Sequence, residues 1–400
     1  MTLPLDLLLA LLGLPVLACA GYLMLLTVLS GRPRTPIAAA PRKRFRVVIP
    51  AHDESGGIAA TIESLYAIDY PRELFDVLVV ADNCTDDTAD RARKAGASVL
   101  ERRNDVERGK GYALNYAFER LPENVDAAVV IDADTLVSPN LLRAFATRLE
   151  AGADAIQADY AVRNPNASWR TRLIAIAFGA FHIVRSRGRE RLGVSAGLRG
   201  NGMCFSARVL RAVPHSAYSI VEDVEYGIRL ADAGYRVFYA DEAHVYGEMV
   251  SEARAARSQR ERWEGGRQAL TKKYGRPLLV RGLRGDRVLL DLALDVLVPP
   301  LSRIVVLAVA GFVASLSGTL VVGPFWASGV VFGASVAFIA AYVMRGWMVS
   351  GTGVRGLSDL ALAPVYVVWK ATLASKTKAT ESAEWVRTAR EEQKPEATPP

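Results

Sequence analysis

Several motifs that define common protein classes are missing from this sequence of 400 residues. It has three cysteines, Cys19, Cys84 and Cys204, whose spacing is not that of metal ligands, so they fit a reducing compartment. No G-x-x-x-x-G-K-S/T P-loop occurs, and Gly197 to Gly202 has the wrong glycine order for a dinucleotide fingerprint. An ATPase and a Rossmann dehydrogenase therefore lose their main support. The net charge of +7 comes without a basic helix carrying interleaved aromatics, which argues against nucleic-acid binding.

Charged residues are absent from three long windows, although 23% of the chain is charged. The first window runs from Leu7 to Leu29, and two more run from Ile304 to Gly323 and from Pro324 to Met344. Each is long enough to cross a bilayer core of ~30 Å. The Gly323-Pro324 pair separates the last two windows, so we predict three spans, of which the second and third form a helical hairpin.

The first window is predicted to be a retained membrane anchor and not a cleaved signal peptide. It has no basic segment before it, its apolar part is longer than that of a signal peptide, and basic residues follow it. Because positive charge favours the cytoplasmic side, we expect a multi-pass protein of the cell inner (plasma) membrane with a cytoplasmic central domain. The basic residues are Arg32, Arg34, Arg42, Lys43, Arg44 and Arg46 after the first span, and Arg276, Arg281, Arg284, Arg287, Arg345 and Arg355 around the hairpin.

Between the anchor and the hairpin, apolar runs typical of buried strands alternate with helical patterns. This alternation predicts an α/β domain with a mostly parallel sheet and right-handed crossovers, in which ligands collect at the carboxyl ends of the strands. The predicted strands are Phe45 to Pro50, Leu74 to Val80, Ala97 to Leu100, Ala128 to Ile131, Ala155 to Tyr160 and Arg236 to Tyr239. The predicted helices include Ile58 to Leu65, Trp169 to Ile183 and Val224 to Leu230.

Two carboxylates follow the fourth predicted strand in the sequence V-V-I-D-A-D-T. Because strand side chains alternate, Asp132 and Asp134 can point the same way and reach one divalent cation that carries phosphate oxygens. Alternatively, these aspartates cap the following helix. The motif alone does not distinguish the two interpretations.

Two further polar loops follow predicted strands. Asp82 can accept a hydrogen bond from the imide N–H of a uracil, or it can simply form a turn. Lys110 lies between Gly109 and Gly111, which let backbone approach a diphosphate, although a G-K-G sequence is also common in ordinary loops.

Two segments in the second half of the domain carry candidate catalytic and binding residues. Asp223 precedes a predicted helix and is suited to act as a general base toward an acceptor hydroxyl, or to stabilise the helix N-terminus. Gln259, Arg262 and Trp263 share part of a helix surface, where Arg can hold a diphosphate and Trp can stack on a sugar ring. An interfacial membrane helix would show the same basic and aromatic pattern.

Taken in order, these loops resemble the family 2 glycosyltransferases, in particular the membrane-integrated branch of cellulose, hyaluronan, chitin-oligosaccharide and poly-N-acetylglucosamine synthases. The resemblance covers Phe45 to Trp263. It is carried by I-P-A-H-D-E-S with Glu54, by Asp82, by Lys110, by Asp132-Ala133-Asp134, by Asp223 in a T/G-E-D type motif, and by Gln259, Arg262 and Trp263 in Q-x-x-R-W.

This resemblance implies a GT-A fold and an inverting transfer from a UDP-sugar donor with Mg²⁺ or Mn²⁺. It implies that Asp134 binds the metal, that Asp132 positions the ribose or sugar, and that Asp223 is the catalytic base. Glu54, Asp82, Lys110, Gln259, Arg262 and Trp263 are then expected to bind substrate. The expected acceptor is a growing polysaccharide at the membrane.

The sequence departs from the synthase pattern in ways that keep other functions open. Asn83 and Cys84 replace a common glycine-serine, Val221 stands where Thr or Gly is usual, and few spans follow the domain. Single transfer to a lipid, as in ceramide glucosyltransferases, is one alternative. An inactive nucleotide-sugar-binding membrane scaffold is another.

The predicted organisation has seven parts. Asp359 and Lys370 interrupt an apolar stretch, which predicts an interfacial helix instead of a fourth span. The parts are an anchor over residues 1–32, a linker over 33–44, the GT-A domain over 45–275, an amphipathic connecting segment over 276–303, a transmembrane hairpin over 304–346, the interfacial helix over 357–375 and a cytoplasmic tail over 376–400.

Overall fold

A computed structural model describes residues 2–38, 40–248 and 253–364, with the backbone alone for residues 2 and 253–264. In its α/β part, strands and helices alternate as predicted. The elements are β1 (Phe45–Ala51), α2 (Ile58–Tyr66), β2 (Phe75–Asp82), α3 (Thr88–Lys94), β3 (Ser98–Arg102), α4 (Lys110–Phe118), β4 (Ala127–Val130), β5 (Thr135–Val137), α5 (Leu141–Glu150), β6 (Ala155–Val162), α6 (Trp169–Phe178), α7 (Arg185–Leu192), β7 (Met203–Ser206), α8 (Ala207–Ala212), α9 (Glu222–Asp232) and β8 (Val237–Gly247), preceded by α1 (Thr2–Leu29).

One eight-stranded sheet with the order β3-β2-β1-β4-β7-β6-β8-β5 organises this part. The pairs β1–β2, β1–β4, β2–β3 and β6–β8 are parallel, as predicted. Apolar side chains on both faces of the sheet are covered by helices. Val47 and Ile49 pack with Ile58 and Ile62 of α2, whereas Val48 between them packs with Leu114 of α4 on the other face.

Two strands were not predicted, and both are antiparallel to their neighbours. β7 pairs with β4 and with β6, and β5 pairs with β8. Both strands have four residues or fewer, too short for a period-two pattern. The consequence is local: the pairing of Val130 with Met203 brings the loop Gly200–Gly202 beside the end of β4.

Two other predicted elements differ in length from those observed. The helix predicted to end at Ile183 continues from α6 through a π-helical segment, Gly179–Val184, into α7. The strand predicted over Arg236 to Tyr239 extends to Gly247, because a bulge at Ala158/Asp159 restores its pairing with β6.

Within the described residues, three helices are long and apolar enough to cross a membrane, spanning Leu3–Leu29, Leu301–Val321 and Trp326–Val349. They match the three predicted apolar windows as candidate membrane spans, the first being α1 and the others α12 (Leu301–Val321) and α13 (Trp326–Val349). Asp6 of α1 accepts hydrogen bonds from the backbone N–H groups of Ala327 (2.9 Å) and Ser328 (2.8 Å). This carboxylate therefore caps the first turn of α13.

Helices also connect the sheet to the hairpin. The end of α10 (Ala253–Gly282) and all of α11 (Arg287–Leu297) lie in the predicted connecting segment, whereas most of α10 lies in the residues predicted as the GT-A domain. α14 (Gly353–Asp359) follows the hairpin. Asp359 pairs with Arg172 of α6 at 2.5 Å, so α14 is tied to the α/β part. The remainder of the predicted interfacial helix and the tail, residues 365–400, lie outside the described residues. The domain boundaries stay predictions.

Candidate active site

The two aspartates of V-V-I-D-A-D-T lie directly beyond the carboxyl end of β4. The buried side chain of Asn201 holds this loop, since its Oδ1 accepts from the backbone N–H of Asp132 (3.1 Å) and its Nδ2 donates to Thr135 Oγ1 (2.8 Å). Sequence reasoning missed Asn201, although it lies within the glycine-rich segment from Gly197 to Gly202. The Asn201 side chain therefore holds the loop that carries Asp132 and Asp134 at the edge of the sheet.

Lys110 is held among carboxylates at the start of α4. Its ammonium donates to Asp132 at 2.5 Å and to the Gly200 carbonyl at 2.6 Å, and it lies 3.7 Å from a Glu222 oxygen. Burial alone would lower the pKa of Lys110, but the negative charges of Asp132, Glu222 and Asp223 outweigh it and raise the pKa. Lys110 is therefore a permanent cation in this site.

Asp223 joins the same cluster from the first turn of α9. Gly200 has a positive φ of 78°, and a Cβ there would lie 3.6 Å from the Lys110 ammonium and 3.7 Å from an Asp223 oxygen. Burial, partly opposed by backbone N–H groups and by Lys110, raises the pKa of Asp223. A carboxylate with a raised pKa is suited to accept a proton.

Glu222, the neighbour of Asp223, predicts a pH dependence of stability. Burial, together with the charge of Asp223 and against that of Lys110, raises the pKa of Glu222 from 4.5 to about 8. Between these pH values the folded protein holds a proton that the unfolded chain releases, so stability falls as pH rises through this window and then levels off. We expect Glu222→Gln to reduce that fall, measured as the thermal unfolding midpoint of the purified protein from pH 5 to 8.5. An equally steep decline in the variant would contradict this assignment.

Asp82, predicted to bind uracil, is buried at the end of β2 and paired within the protein. Arg102 donates to its carboxylate at 2.7 Å, and the His52 imidazole lies 2.7 Å from its backbone carbonyl oxygen. Burial raises the pKa of Asp82, although Arg102 and His52 act in the opposite direction. Sequence reasoning missed Arg102, which lies 20 residues away. The role of Asp82 toward a base stays a prediction.

Two tyrosines stack on each other near Arg102, the partner of Asp82. The rings of Tyr112 and Tyr218 are stacked with centroids 4.1 Å apart and planes inclined by 8°. The Arg102 guanidinium lies 5.8 Å from the centre of the Tyr112 ring. These aromatic and cationic groups border the carboxyl end of β2, where a nucleotide base is expected.

The loop that carries Glu54 is fixed to the loop after β2. The backbone N–H of Glu54 donates to Thr88 at 2.8 Å. Among the described residues, Asp53, Cys84 and Asp86 have donor atoms within 4.8 Å of one another. The carboxylate of Asp53 accepts from the backbone of Thr85 (2.6 Å), and that of Asp86 from the backbone of Ser55 (3.2 Å). This group therefore fastens two loops together, and it is separate from Asp132 and Asp134.

Gln259, Arg262 and Trp263 lie on the predicted helix, since α10 spans Ala253–Gly282. Their side chains fall outside the described part of the chain, so their contribution to the site stays a prediction. Tyr160 of β6, which sequence reasoning did not indicate as a site residue, interacts with Asp132, Asp134 and Asn201. Burial and the charges of Asp132 and Asp134 raise its pKa.

The chemistry of the carboxylates at the end of β4 fits Mg²⁺ or Mn²⁺. These ions prefer oxygen ligands and are commonly held by one or two carboxylates together with substrate phosphates and water. One Asp132 oxygen pairs with Lys110, and the assignment of Asp134 as the metal ligand stays a prediction.

Comparison with known proteins agrees with this arrangement. The model of the family described as glycosyltransferase like family 2 matches residues 41–266. A probable glycosyltransferase YdaM of Bacillus subtilis is 25% identical over 242 residues, covering 58% of this chain and 57% of that protein. A beta-monoglucosyldiacylglycerol synthase of Synechocystis is 29% identical over 242 residues, covering 58% and 49%. The chain thus spans about half the length of the curated relatives it matches.

Among solved structures, the fold is similar to that of the mannosyltransferase PcManGT from Pyrobaculum calidifontis in complex with GDP-Man and Mn²⁺. The TM-score is 0.53 at 16% identity, over 86% of this chain and 99% of the other. The likeness confirms the predicted GT-A-like α/β fold, with apolar helices at both ends of the described chain.

Proposed function

Since the chain belongs to glycosyltransferase family 2 and is an enzyme that uses a nucleotide-sugar donor, we propose that it transfers a sugar from a UDP-sugar with inversion to a membrane-associated acceptor. The observation that carries the proposal is the convergence of Asp132, Lys110 and Asp223 at the carboxyl ends of the strands. These residues are separated by up to 113 positions in the chain. Two anions and a cation beside a candidate metal ligand suit a charged diphosphate and an acceptor hydroxyl.

In the proposed reaction, Asp223 takes the proton of the acceptor hydroxyl. The acceptor oxygen then bonds to the anomeric carbon on the face opposite the diphosphate, and the bond from that carbon to the diphosphate oxygen breaks, releasing UDP. Lys110 stabilises the negative charge that gathers on the leaving group. Mg²⁺ or Mn²⁺, when bound by Asp134, supplies further charge neutralisation at the diphosphate.

For the acceptor, a lipid is favoured over a growing polysaccharide by the packing of the membrane helices. Phe332 of α13 is 4% exposed and fills the space against Gly311 of α12 and Gly13 of α1. A Cβ at Gly311 would lie 2.2 Å from the Phe332 ring. In the described part of the chain, the interior of this three-helix group is therefore filled by side chains. The relative named as a beta-monoglucosyldiacylglycerol synthase supports the same acceptor class.

The test is release of UDP by membranes containing the protein, measured with a panel of UDP-sugars and Mg²⁺ or Mn²⁺. Mass spectrometry of lipid extracts then determines whether the product is a lipid with one added sugar. A polymer would instead support the synthase-like prediction. Nucleotide binding without turnover of any donor would overturn the proposed reaction.

The proposal places the catalytic part in the cytoplasm and the α12–α13 turn outside. Gly323 in this turn has a φ of 130°, so a cysteine is better introduced at Val322, which is 55% exposed. We expect Val322→Cys to react with a membrane-impermeant maleimide added to intact cells. Val106→Cys, on an exposed loop of the α/β part, should react only after permeabilisation. Reaction of Val106→Cys in intact cells, with Val322→Cys reacting only after permeabilisation, would contradict this topology.

A further inference from the structure

Four arginines gather around Phe181 where the α/β part meets the membrane helices. The guanidinium carbons of Arg185, Arg199 and Arg267 lie 4.8, 4.5 and 5.9 Å from the centre of its ring. Arg189 completes the group, because a Cβ at Gly197 would lie 3.1 Å from its Nη1 and 3.3 Å from Nη1 of Arg199. We call these four residues the arginine cluster.

Two carboxylates of α11 balance only part of this charge. Asp295 pairs with Arg185 at 2.9 Å and with Arg189 at 3.4 Å, and Asp291 pairs with Arg189 at 2.7 Å. Among the residues whose side chains are described, these two carboxylates form ion pairs only with Arg185 and Arg189, and Asp223 is a further negative charge that acts on Arg199. Like charges held together in a buried place repel one another unless an anion compensates them.

The uncompensated charge resides on two members of the cluster. Arg199 donates to the Ala196 carbonyl at 3.2 Å, and Arg267 donates to the carbonyls of Asp295 and of Val298. In the part of the chain whose side chains are described, neither forms an ion pair. Burial and the charges of Arg189 and Arg185 lower the pKa of Arg199 to about 10, against the opposing charges of Asp295 and Asp223.

Buried N–H donors within the cluster also lack acceptors. Among the described residues, Nη2 of Arg189 and Nε of Arg199 are buried without a hydrogen-bond partner, and Arg189 is fully buried. An unsatisfied buried donor is costly, more so when it is charged. An anion with several oxygen acceptors would satisfy such donors and the excess charge together.

The location of the cluster indicates which anion could reach it. Arg199 adjoins Gly200, whose carbonyl accepts from Lys110 and at which a Cβ would lie 3.7 Å from an Asp223 oxygen of the candidate active site. On the other side, Nε of Arg185 donates to the Tyr342 hydroxyl of α13 at 3.0 Å, and the Tyr22 hydroxyl of α1 donates to Asp291 at 2.9 Å. The cluster thus connects the reacting centre with two membrane helices.

We propose that Arg199 and Arg267 bind a phosphate group carried by the membrane lipid acceptor, next to Asp223. This inference rests on the proposed transfer to a lipid and specifies the class of that lipid as a phosphate ester. Arg185 and Arg189, which Asp295 and Asp291 already pair, position the other two arginines. A neutral diacylglycerol would leave the excess charge of the cluster unmatched.

Binding is tested on the full chain in nanodiscs of zwitterionic lipid, without donor, using radiolabelled hexadecyl phosphate and hexadecanol. We expect the phosphate to bind at least ~10-fold more tightly than the alcohol, because charge-assisted hydrogen bonds to arginine are lost in the latter. Arg199→Gln and Arg267→Gln are each expected to weaken phosphate binding by ~10-fold or more, and Arg199→Lys to restore part of it. Arg208→Gln is the matched control, since Arg208 is exposed and pairs with Asp154 elsewhere.

Three outcomes would overturn the inference. They are equal binding of the phosphate and the alcohol, unchanged phosphate binding in both cluster variants that remain folded by thermal unfolding, and binding of inorganic phosphate as tight as that of the alkyl ester. The last result would indicate a free-anion site in place of a lipid site. UDP binding and UDP release are measured on the same samples. If UDP binding or UDP release is absent in the unmodified protein, that result would count against the proposed transferase reaction. The lipid-binding result would stand independently of that outcome.

Discussion

Replacing Asp223 with asparagine is expected to lower sugar transfer by at least ~10²-fold while donor binding is retained. Asparagine has the size of aspartate but cannot take the acceptor proton. The donor-side residues Lys110 and Asp132 stay bonded to each other in the variant, because their 2.5 Å contact does not involve Asp223. Transfer is measured as UDP release, and donor binding by equilibrium titration with UDP and Mn²⁺.

Asp232→Asn is the control for this experiment, because Asp232 ends the same helix and pairs with exposed Arg281 at 2.6 Å. It should leave UDP release close to that of the unmodified protein. If Asp223→Asn turns over as fast as the control, Asp223 is not the base. Loss of UDP binding in Asp223→Asn would instead indicate a structural effect at the start of α9.

Replacing Lys110 with methionine is expected to have the second large effect, on both activity and stability. The ammonium is the cation that neutralises Asp132, Glu222 and Asp223. Removal of the ammonium leaves three carboxylates close together. Breaking a buried ion pair by removing one partner typically costs about 3–5 kcal/mol of unfolding free energy. Because Lys110 is 19% exposed, a loss near the lower end of that range is expected. Transfer should fall by ~10²-fold, the usual effect of losing one group that stabilises transition-state charge.

The loss of stability in Lys110→Met should grow as pH rises, since ionisation of Glu222 is no longer compensated. Thermal unfolding at pH 6 and at pH 8.5 measures this difference, alongside UDP release. Lys272→Met removes an exposed lysine from α10 and serves as the control. Equal stability of the two variants at pH 8.5 would show that Lys110 does not hold the carboxylates in the folded protein.

Much of this architecture follows from local patterns in the chain. The strand Phe45–Ala51 is a short apolar run ended by polar residues, and its alternate side chains face two different cores, as the period of two requires. The three spans follow from long windows without charge, and the Gly323-Pro324 break lies between α12 and α13. The D-A-D segment follows a predictable strand, and the G-K-G segment precedes a predictable helix. Their proximity in space could therefore be anticipated from the parallel topology alone.

Other parts could not be anticipated because they depend on contacts between distant segments. β7 has four residues and pairs antiparallel to β4, and this pairing alone brings Asn201 to the backbone of Asp132. Arg102 pairs with Asp82 only because β3 lies beside β2. The length of β8 depends on a bulge in its pairing with β6, and no residue within β8 signals it.

The amino-acid sequence by itself determined the class of the protein: an α/β domain with carboxylates at strand ends, enclosed by apolar windows of membrane-spanning length. Hydrophobic periodicity and the absence of charge are local properties, and they act before any tertiary contact forms. Only the tertiary structure decided which charges face one another. Lys110 meets Asp132 and Glu222, and Arg199 meets the arginines of α7 and α10, because packing brings these side chains to one place. Electrostatic energy depends on distance through space and on burial, and neither is encoded in spacing along the chain.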